Sequence, residues 1–304
     1  MHRHIGFNLE NEMLNATSSS IASATSNGPS PAHMRALGNR SVPSFVGMSV
    51  VNGSADAAAE AKLQREANLN HGACVSIAAT LKLLNDCLVP QRRVVHAGDS
   101  IYQAGEHFGN LYILHSGFVK IVNLSADGRE QVVGLKFRGD WLGFDGIAGG
   151  QYSCDAIAMD TGEVWVFKYA DLLTACLDEP LLLTKLHEAM SREIAHDRDS
   201  LMSVCTLPAD ARVADFLRYW AQSLAMRGLR TDHITLRMTR AEIGNYLGMT
   251  LETVSRALSK LARDKVIAFN EKGRRELHIP NVAALTALVT STRRCMAVSS
   301  TTPS

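Results

Sequence analysis

MTRAEIGNYLGMTLETVSRALSKL, Met238–Leu261, encodes two short helices and the turn between them. Thr239-Arg240-Ala241-Glu242 reads as a capping box, in which the threonine oxygen takes one orphan N–H and the glutamate reaches back for another. The helix it opens carries Ile243, Tyr246 and Leu247 on one face. Gly248 supplies the left-handed residue that closes such a helix at little cost. Thr250 suits the cap of the next helix, whose inward face is Val254, Ala257, Leu258 and Leu261. Two capped helices around a glycine turn predict a helix-turn-helix. The first exposed residues of its second helix, Leu251, Glu252, Ser255 and Arg256, would then meet a major groove.

The flanks extend this reading. Upstream, ADARVADFLRYWAQSLAMRG forms a helix that ends at Gly228; downstream, VIAF and ELHI bracket a basic turn, Asn270 to Arg275, as a wing hairpin would. The alternative is an ordinary helical hairpin with a solvated charged face. The succession of capping box, glycine turn and hairpin argues against it, as does the charge. The chain's net charge of +1 hides a split: residues 206–304 carry 15 Lys and Arg against 8 Asp and Glu, and the remainder is acidic. Such asymmetry points the C-terminal part at a polyanion.

Pro180 to about Cys205 is a glycine-free helical stretch, with proline at the first turn where its missing N–H costs nothing. Leu183, His187, Met190, Ile194, Asp197, Leu201 and Val204 alternate spacings of four and three, a coiled-coil seam narrow enough to pair with its own copy. The stripe could instead pack on its own domain. Asp197 on this seam would bring two carboxylates face to face in a parallel homodimer, unless it splays outward or pairs with Arg192 or Arg198.

Between Val89 and Phe167, short runs rich in β-branched and aromatic residues (DSIYQAG, GNLYILHSG, GFVKIVNL, REQVVGLKF, GEVWVFKY) are punctuated by glycines. They predict antiparallel strands closed into a β-roll, with Asp127-Gly128 at a hairpin tip. Residues 1 to about 70 are rich in Ser, Ala, Asn and Gly, too poor in large apolar side chains to offset ordering entropy. Only Ala57 to Leu69 has helical character there, and Met13, Met34 and Met48 leave room for a later translation start.

Six scattered cysteines without a C-x-x-C do not make a disulfide framework. There is no apolar run of membrane length and no signal-peptide pattern, so the expectation is a cytoplasmic protein without a membrane partner. No GxxxxGK[ST], HExxH or GxSxG motif occurs, and an enzyme is not expected.

The stretch at Met238–Leu261 strongly resembles the cAMP receptor protein/fumarate–nitrate reduction (Crp/Fnr) superfamily of regulators. GDWLGFDGIAGG and the long helix stand in the order that family has, over about residues 85–290. After a mostly disordered extension over 1–70, the resemblance implies an α+β chain: an antiparallel β-roll sensor domain over 71–179 and a dimerisation helix over 180–206. A winged helix-turn-helix over 207–290 completes it, and a flexible tail is expected over 291–304. It also implies a homodimer on palindromic double-stranded DNA, an effector bound by the sensor, and contact with RNA polymerase, for which the loop around Asp127–Glu130 is a candidate. The dimer interface would hold Leu183, Met190, Ile194, Asp197 and Leu201.

On the recognition helix, LETVSR is nearer the Fnr branch than the cAMP branch, which has arginine where Leu251 stands. Arg256 suits guanine O6 and N7, Glu252 cytosine N4, Ser255 several bases, and Leu251 a thymine methyl. Thr239, Arg240 and Thr250 complete the expected DNA-binding set. A TTGAT-like half-site, repeated in inverted form about one helical turn away, follows. The competing reading is a helix-turn-helix that binds protein and has no specific DNA affinity.

The effector is left open. Cyclic-nucleotide binders of the family need a glutamate and an arginine, and those places fall on Phe144 and Cys154, so cAMP is not expected. Iron–sulfur members use three clustered N-terminal cysteines and one in the β-roll. This chain has only Cys74 before Cys87, and Trp165 at the fourth place, so a [4Fe–4S] cluster is not expected either. His96, His107 and His115 as haem ligands, Cys154 and Cys176 as thiol sensors, and the His71/Cys74 pair as a metal site are weaker readings than ordinary surface or core roles.

Overall fold

The computed structural model describes residues 54–125, 128–270 and 273–299. Helix α1 (Ser54–Cys87) leads into a β-roll of β1 (Gln91–Val95), β2 (Ser100–Tyr102), β3 (Asn110–Ser116), β4 (Val119–Leu124), β5 (Glu130–Lys136), β6 (Trp141–Leu142), the short α2 (Gly146–Gly149), β7 (Asp155–Ala158) and β8 (Gly162–Lys168). Helices α3 (Tyr169–Asp178) and α4 (Pro180–Thr206) follow. The C-terminal part is α5 (Ala209–Ala225), β9 (His233–Thr235), α6 (Arg240–Leu247), α7 (Leu251–Arg263), β10 (Ala268–Asn270), β11 (Gly273–His278) and α8 (Val282–Ser299).

The roll is two antiparallel sheets, ordered β1-β8-β3-β6 and β2-β7-β4-β5. Alternating residues of β3, β4, β7 and β8 face inward, so that Leu111, Ile113, Val119, Ala156 and Val164 are wholly buried. The five glycine-punctuated runs became β2, β3, β4, β5 and β8. Strands β1, β6 and β7 escaped the sequence reading because QRRVV, WL and DAIA are too short or too polar to show a period of two.

Two expected boundaries move. The helix foreseen over Ala57–Leu69 is part of α1 and runs on to Cys87, through the boundary placed near residue 70. Leu81 and Leu84 are buried and Ile77 and Leu88 half-buried, a 4-3-4 spacing that seats the helix on the β-roll. The part of the expected disordered extension before residue 54 lies outside the described residues. At the other end the tail expected from residue 291 begins inside α8, whose Leu285 and Val289 are buried in the same core as α5.

Helix α4 has two different sides. Glu179 caps it by accepting from Leu181 N–H, with Pro180 in the first turn. Leu182, Leu186 and Ala189 are buried against the roll, and Lys136 of β5 bonds Glu193 at 2.6 Å. On the other side Leu183, Ile194 and Leu201 are 38%, 50% and 65% exposed, Met190 is half-buried, and Asp197 is exposed with no ion pair among the described residues. Arg192 turns to Glu188 instead.

The C-terminal part is docked on the roll. Phe118 stacks on Trp220 of α5 at 5.7 Å, Phe137 meets it edge-on at 5.3 Å, and Val122, Val132 and Leu135 share a core with α5, α6 and α7. Among the described residues no helix is long and apolar enough to cross a membrane.

Candidate nucleic-acid interface

The capping box forms as read. Thr239 Oγ1 accepts from Glu242 N–H at 3.2 Å, and Glu242 Oε2 accepts from Thr239 N–H at 2.7 Å. Partial burial pushes the Glu242 carboxyl up, but Lys120 and the two Thr239 bonds together carry it below its ordinary value. Gly248 is left-handed (φ 64°) and closes α6. Gly244 is needed for another reason: a Cβ there would stand 2.6 Å from the Met249 carbonyl, so only glycine lets the turn approach this closely.

Thr250 caps α7 by accepting from Thr253 N–H at 3.3 Å. Val254, Ala257, Leu258 and Leu261 are each no more than 2% exposed. This burial fixes the rotation of the helix and turns Leu251, Glu252 and Arg256 to solvent, with Ser255 half-buried beside them. A bond from its own backbone N–H, then one from Thr250, hold the Glu252 carboxyl below its ordinary value, so it is an anion at the helix front. Arg256 lies 3.5 Å from Thr253 Oγ1.

Around this front, Thr239 and Thr250 are exposed, and the Arg240 guanidinium sits over Phe269 of the wing at 5.3 Å. Arg275 on β11 is exposed. Strands β10 and β11 form the wing with β9 as a third strand, which the sequence reading did not foresee. Hydroxyls and guanidinia flanking a protruding helix are the groups that bond phosphates, while side chains at the helix front reach base edges. Of the expected DNA-binding set, Thr239, Thr250, Leu251, Glu252 and Arg256 are exposed, and Arg240 and Ser255 are half-buried.

A cavity of about 950 Å³ lies between the roll and α4, bordered by Tyr102, Phe144, Cys154, Glu193, His196 and Asp197 among others. Beside it, Asp145 Oδ2 accepts from Ser153 and Cys154 N–H at 2.8 and 3.2 Å, and burial raises the Cys154 thiol. Phe144 stacks near Trp141 at 6.1 Å. Three cations border it: Lys136 and Arg227 are bonded to Glu193 and Asp140, while Arg192 is exposed and only 3.8 Å from Glu188.

An iron–sulfur cluster does not fit the described cysteines. Cys74 lies beside Gly228, Cys87 near Glu179, Cys154 at the cavity and Cys176 in the core of the roll, so their thiols do not converge. Trp165 is sandwiched between Arg92 and His115, at 5.4 and 4.7 Å. His96 is exposed beside Asp99, and His107 is exposed. No group of three or more His, Cys, Asp or Glu poised for a metal occurs among the described residues.

Family comparisons agree with this geometry. The model of a Crp-like helix-turn-helix domain matches residues 211–288, and that of a cyclic nucleotide-binding domain matches residues 92–179. The fumarate and nitrate reduction regulatory protein of Salmonella typhimurium is 32% identical over 208 residues, spanning 68% of this chain and 82% of that one. Its counterpart in Escherichia coli K12 is 31% identical over the same spans. The structure of FixK2 from Bradyrhizobium japonicum superimposes with a TM-score of 0.60 at 30% identity, covering 66% of this chain and 98% of that one. The chain belongs to the Crp/Fnr superfamily of DNA-binding transcription regulators.

Proposed function

We propose that the protein acts as a homodimer on an inverted TTGAT-like repeat in double-stranded DNA, under control of a signal received by the β-roll. The outward quartet Leu251, Glu252, Ser255 and Arg256 on a helix locked by its buried face carries the DNA reading. For the dimer, the support is an apolar stripe of α4 beside the buried one: Leu183, Ile194 and Leu201 stay in water among the described residues, while the neighbouring Leu182, Leu186 and Ala189 are buried. Asp197 on that side brings two carboxylates near one another across the seam. Their repulsion holds the dimer close to a balance that a signal can tip. The loop between β4 and β5, of which residues 126–127 lie outside the described residues, is the surface offered to RNA polymerase.

The test is a titration of labelled duplex, bearing the repeat or a scrambled version, at several salt concentrations, with sedimentation of the free protein in parallel. Sequence preference with a steep salt slope is expected. Asp197→Ala should shift sedimentation toward dimer and tighten DNA binding together. A protein that binds both duplexes equally, or neither, overturns the reading. Unchanged sedimentation of Asp197→Ala removes the balance-point argument.

A further inference from the structure

Among the described residues, strand β5 is the edge of its sheet, with β4 on one side and no strand on the other. An edge strand presents free N–H and C=O groups that seek a partner. Here the partner is one side chain of the helix-turn-helix. Asn245 Nδ2 donates to the Glu130 carbonyl at 2.6 Å, and Val132 N–H donates to Asn245 Oδ1 at 2.6 Å. A carboxamide carries a donor and an acceptor in one plane, as a peptide unit does. It therefore fills the place a neighbouring strand would take. Gln131 Nε2 completes the contact by donating to the Asn245 backbone carbonyl, which also accepts from the capping Gly248 N–H at 3.3 Å.

The other end of α6 is tied to the same sheet, since Lys120 Nζ of β4 lies 2.5 Å from Glu242 Oε1. Helix α6 is thus anchored at both ends on two adjacent strands. Its next neighbour in the chain is Gly248, and α7 follows at once. The anchorage leaves the front of α7 open, with Leu251, Glu252 and Arg256 exposed, so it orients the reading helix without masking it.

We propose that Asn245 is a positioning residue for DNA recognition: it fixes the reading helix relative to the β-roll and so sets the separation of the two reading helices of a dimer. The inference rests on the dimeric, repeat-binding function proposed above. Without Asn245 each head would be tethered but free to swing, and the preference for one half-site spacing would fade. Binding of one head to one half-site would stay the same.

Full-length wild type, Asn245→Ala, Asn245→Asp and Gln131→Ala are compared by fluorescence anisotropy on three duplexes. These are the inverted TTGAT repeat at one-turn spacing, the same half-sites moved two base pairs further apart, and a single half-site. Asn245→Ala should bind the one-turn repeat about tenfold more weakly, as two lost hydrogen bonds would give, with single-half-site binding unchanged and the spacing preference largely gone. Asn245→Asp should fall at least as far, because its carboxylate faces the Glu130 carbonyl with no donor. Gln131→Ala leaves the head's own sequence intact and should move in the same direction by less, which keeps the test open if the Asn245 variants fold poorly. Wild-type spacing preference in both Asn245→Ala and Gln131→Ala overturns the proposal, and so does an equal loss on the single half-site. A wild-type protein that binds none of the duplexes overturns the proposed function itself, and the positioning role with it.

Discussion

Arg227 Nη2 lies 2.6 Å from Asp140 Oδ1, and this pair clasps the end of α5 to the loop between β5 and β6. The same guanidinium donates from Nε to the Arg138 carbonyl and from Nη1 to the Ser223 carbonyl, both at 2.7 Å, and lies over the Phe137 ring at 5.0 Å. The arginine is buried while the carboxylate keeps some contact with water. Removing the arginine therefore strands a carboxylate that can partly rehydrate, a milder loss than in a fully buried pair. Arg227→Ala should lower stability by ~1–3 kcal/mol in urea denaturation. Arg227→Lys should recover little of it, because an ammonium cannot reach three acceptors set around a planar fork.

Next to that clasp, helix α1 presses on Gly139. A Cβ added at Gly139 would stand 2.5 Å from Ile77 Cγ2, and its φ of 86° is one that side chains rarely adopt. A few residues earlier in α1, Cys74 Sγ lies 3.3 Å from where a Cβ on Gly228 would be, so this part of α1 touches both sides of the joint between roll and DNA-binding part. Gly139→Ala should destabilise by about 2–3 kcal/mol, combining left-handed strain with the clash. Ile77→Ala costs stability alone but should offset part of that loss in the double variant. A double-mutant cycle in urea measures the coupling, and strict additivity would show that α1 does not rest on the loop.

These contacts mark where the sequence stopped being readable. Thr239 acts on Glu242 and Thr250 on Thr253, each three residues away, with Gly248 closing the helix between them, so local spacing alone revealed the caps and the turn. The buried face of α7 was legible for a similar reason, since Val254, Ala257, Leu258 and Leu261 recur at helical intervals. Asn245 gave no such signal. Its partners Glu130 and Val132 are more than a hundred residues away, and a lone asparagine in a helix looks like any solvated one. Arg227 and Asp140 were equally silent. Helix α1 could have been found: Ile77, Leu81, Leu84 and Leu88 carry the period of an amphipathic helix beyond the stretch read as helical.

Arg256 tests the reading of bases directly. Arg256 is exposed at the front of α7, with a long 3.5 Å contact to Thr253 and the Glu252 carboxylate nearby, and its guanidinium is turned to solvent where guanine O6 and N7 could be met. Arg256→Ala should cost ~1–3 kcal/mol on the repeat and relax selection at a single base pair, seen in a panel of single-substitution duplexes. A uniform loss across the panel, with a shallower salt slope, would make it a phosphate contact.

His196 gives the fold a direction of pH dependence. Its ring stacks on Tyr219 at 4.3 Å, and burial lowers its pKa below the ordinary 6.5. Asp197, Asp140 and Asp199 pull the value upward and Lys136 pushes it down, but desolvation is the largest influence. The folded state thus favours the neutral ring, while the unfolded chain takes up a proton near pH 6.5. The stability this group contributes is complete above about 6.5 and is lost as pH falls below it. Urea midpoints between pH 7.5 and 5.5 should decline for the wild type. His196→Gln, which cannot titrate, should flatten that decline while lowering stability at pH 7.5 through the lost stacking. An equal decline in both proteins would place the acid sensitivity elsewhere in the fold.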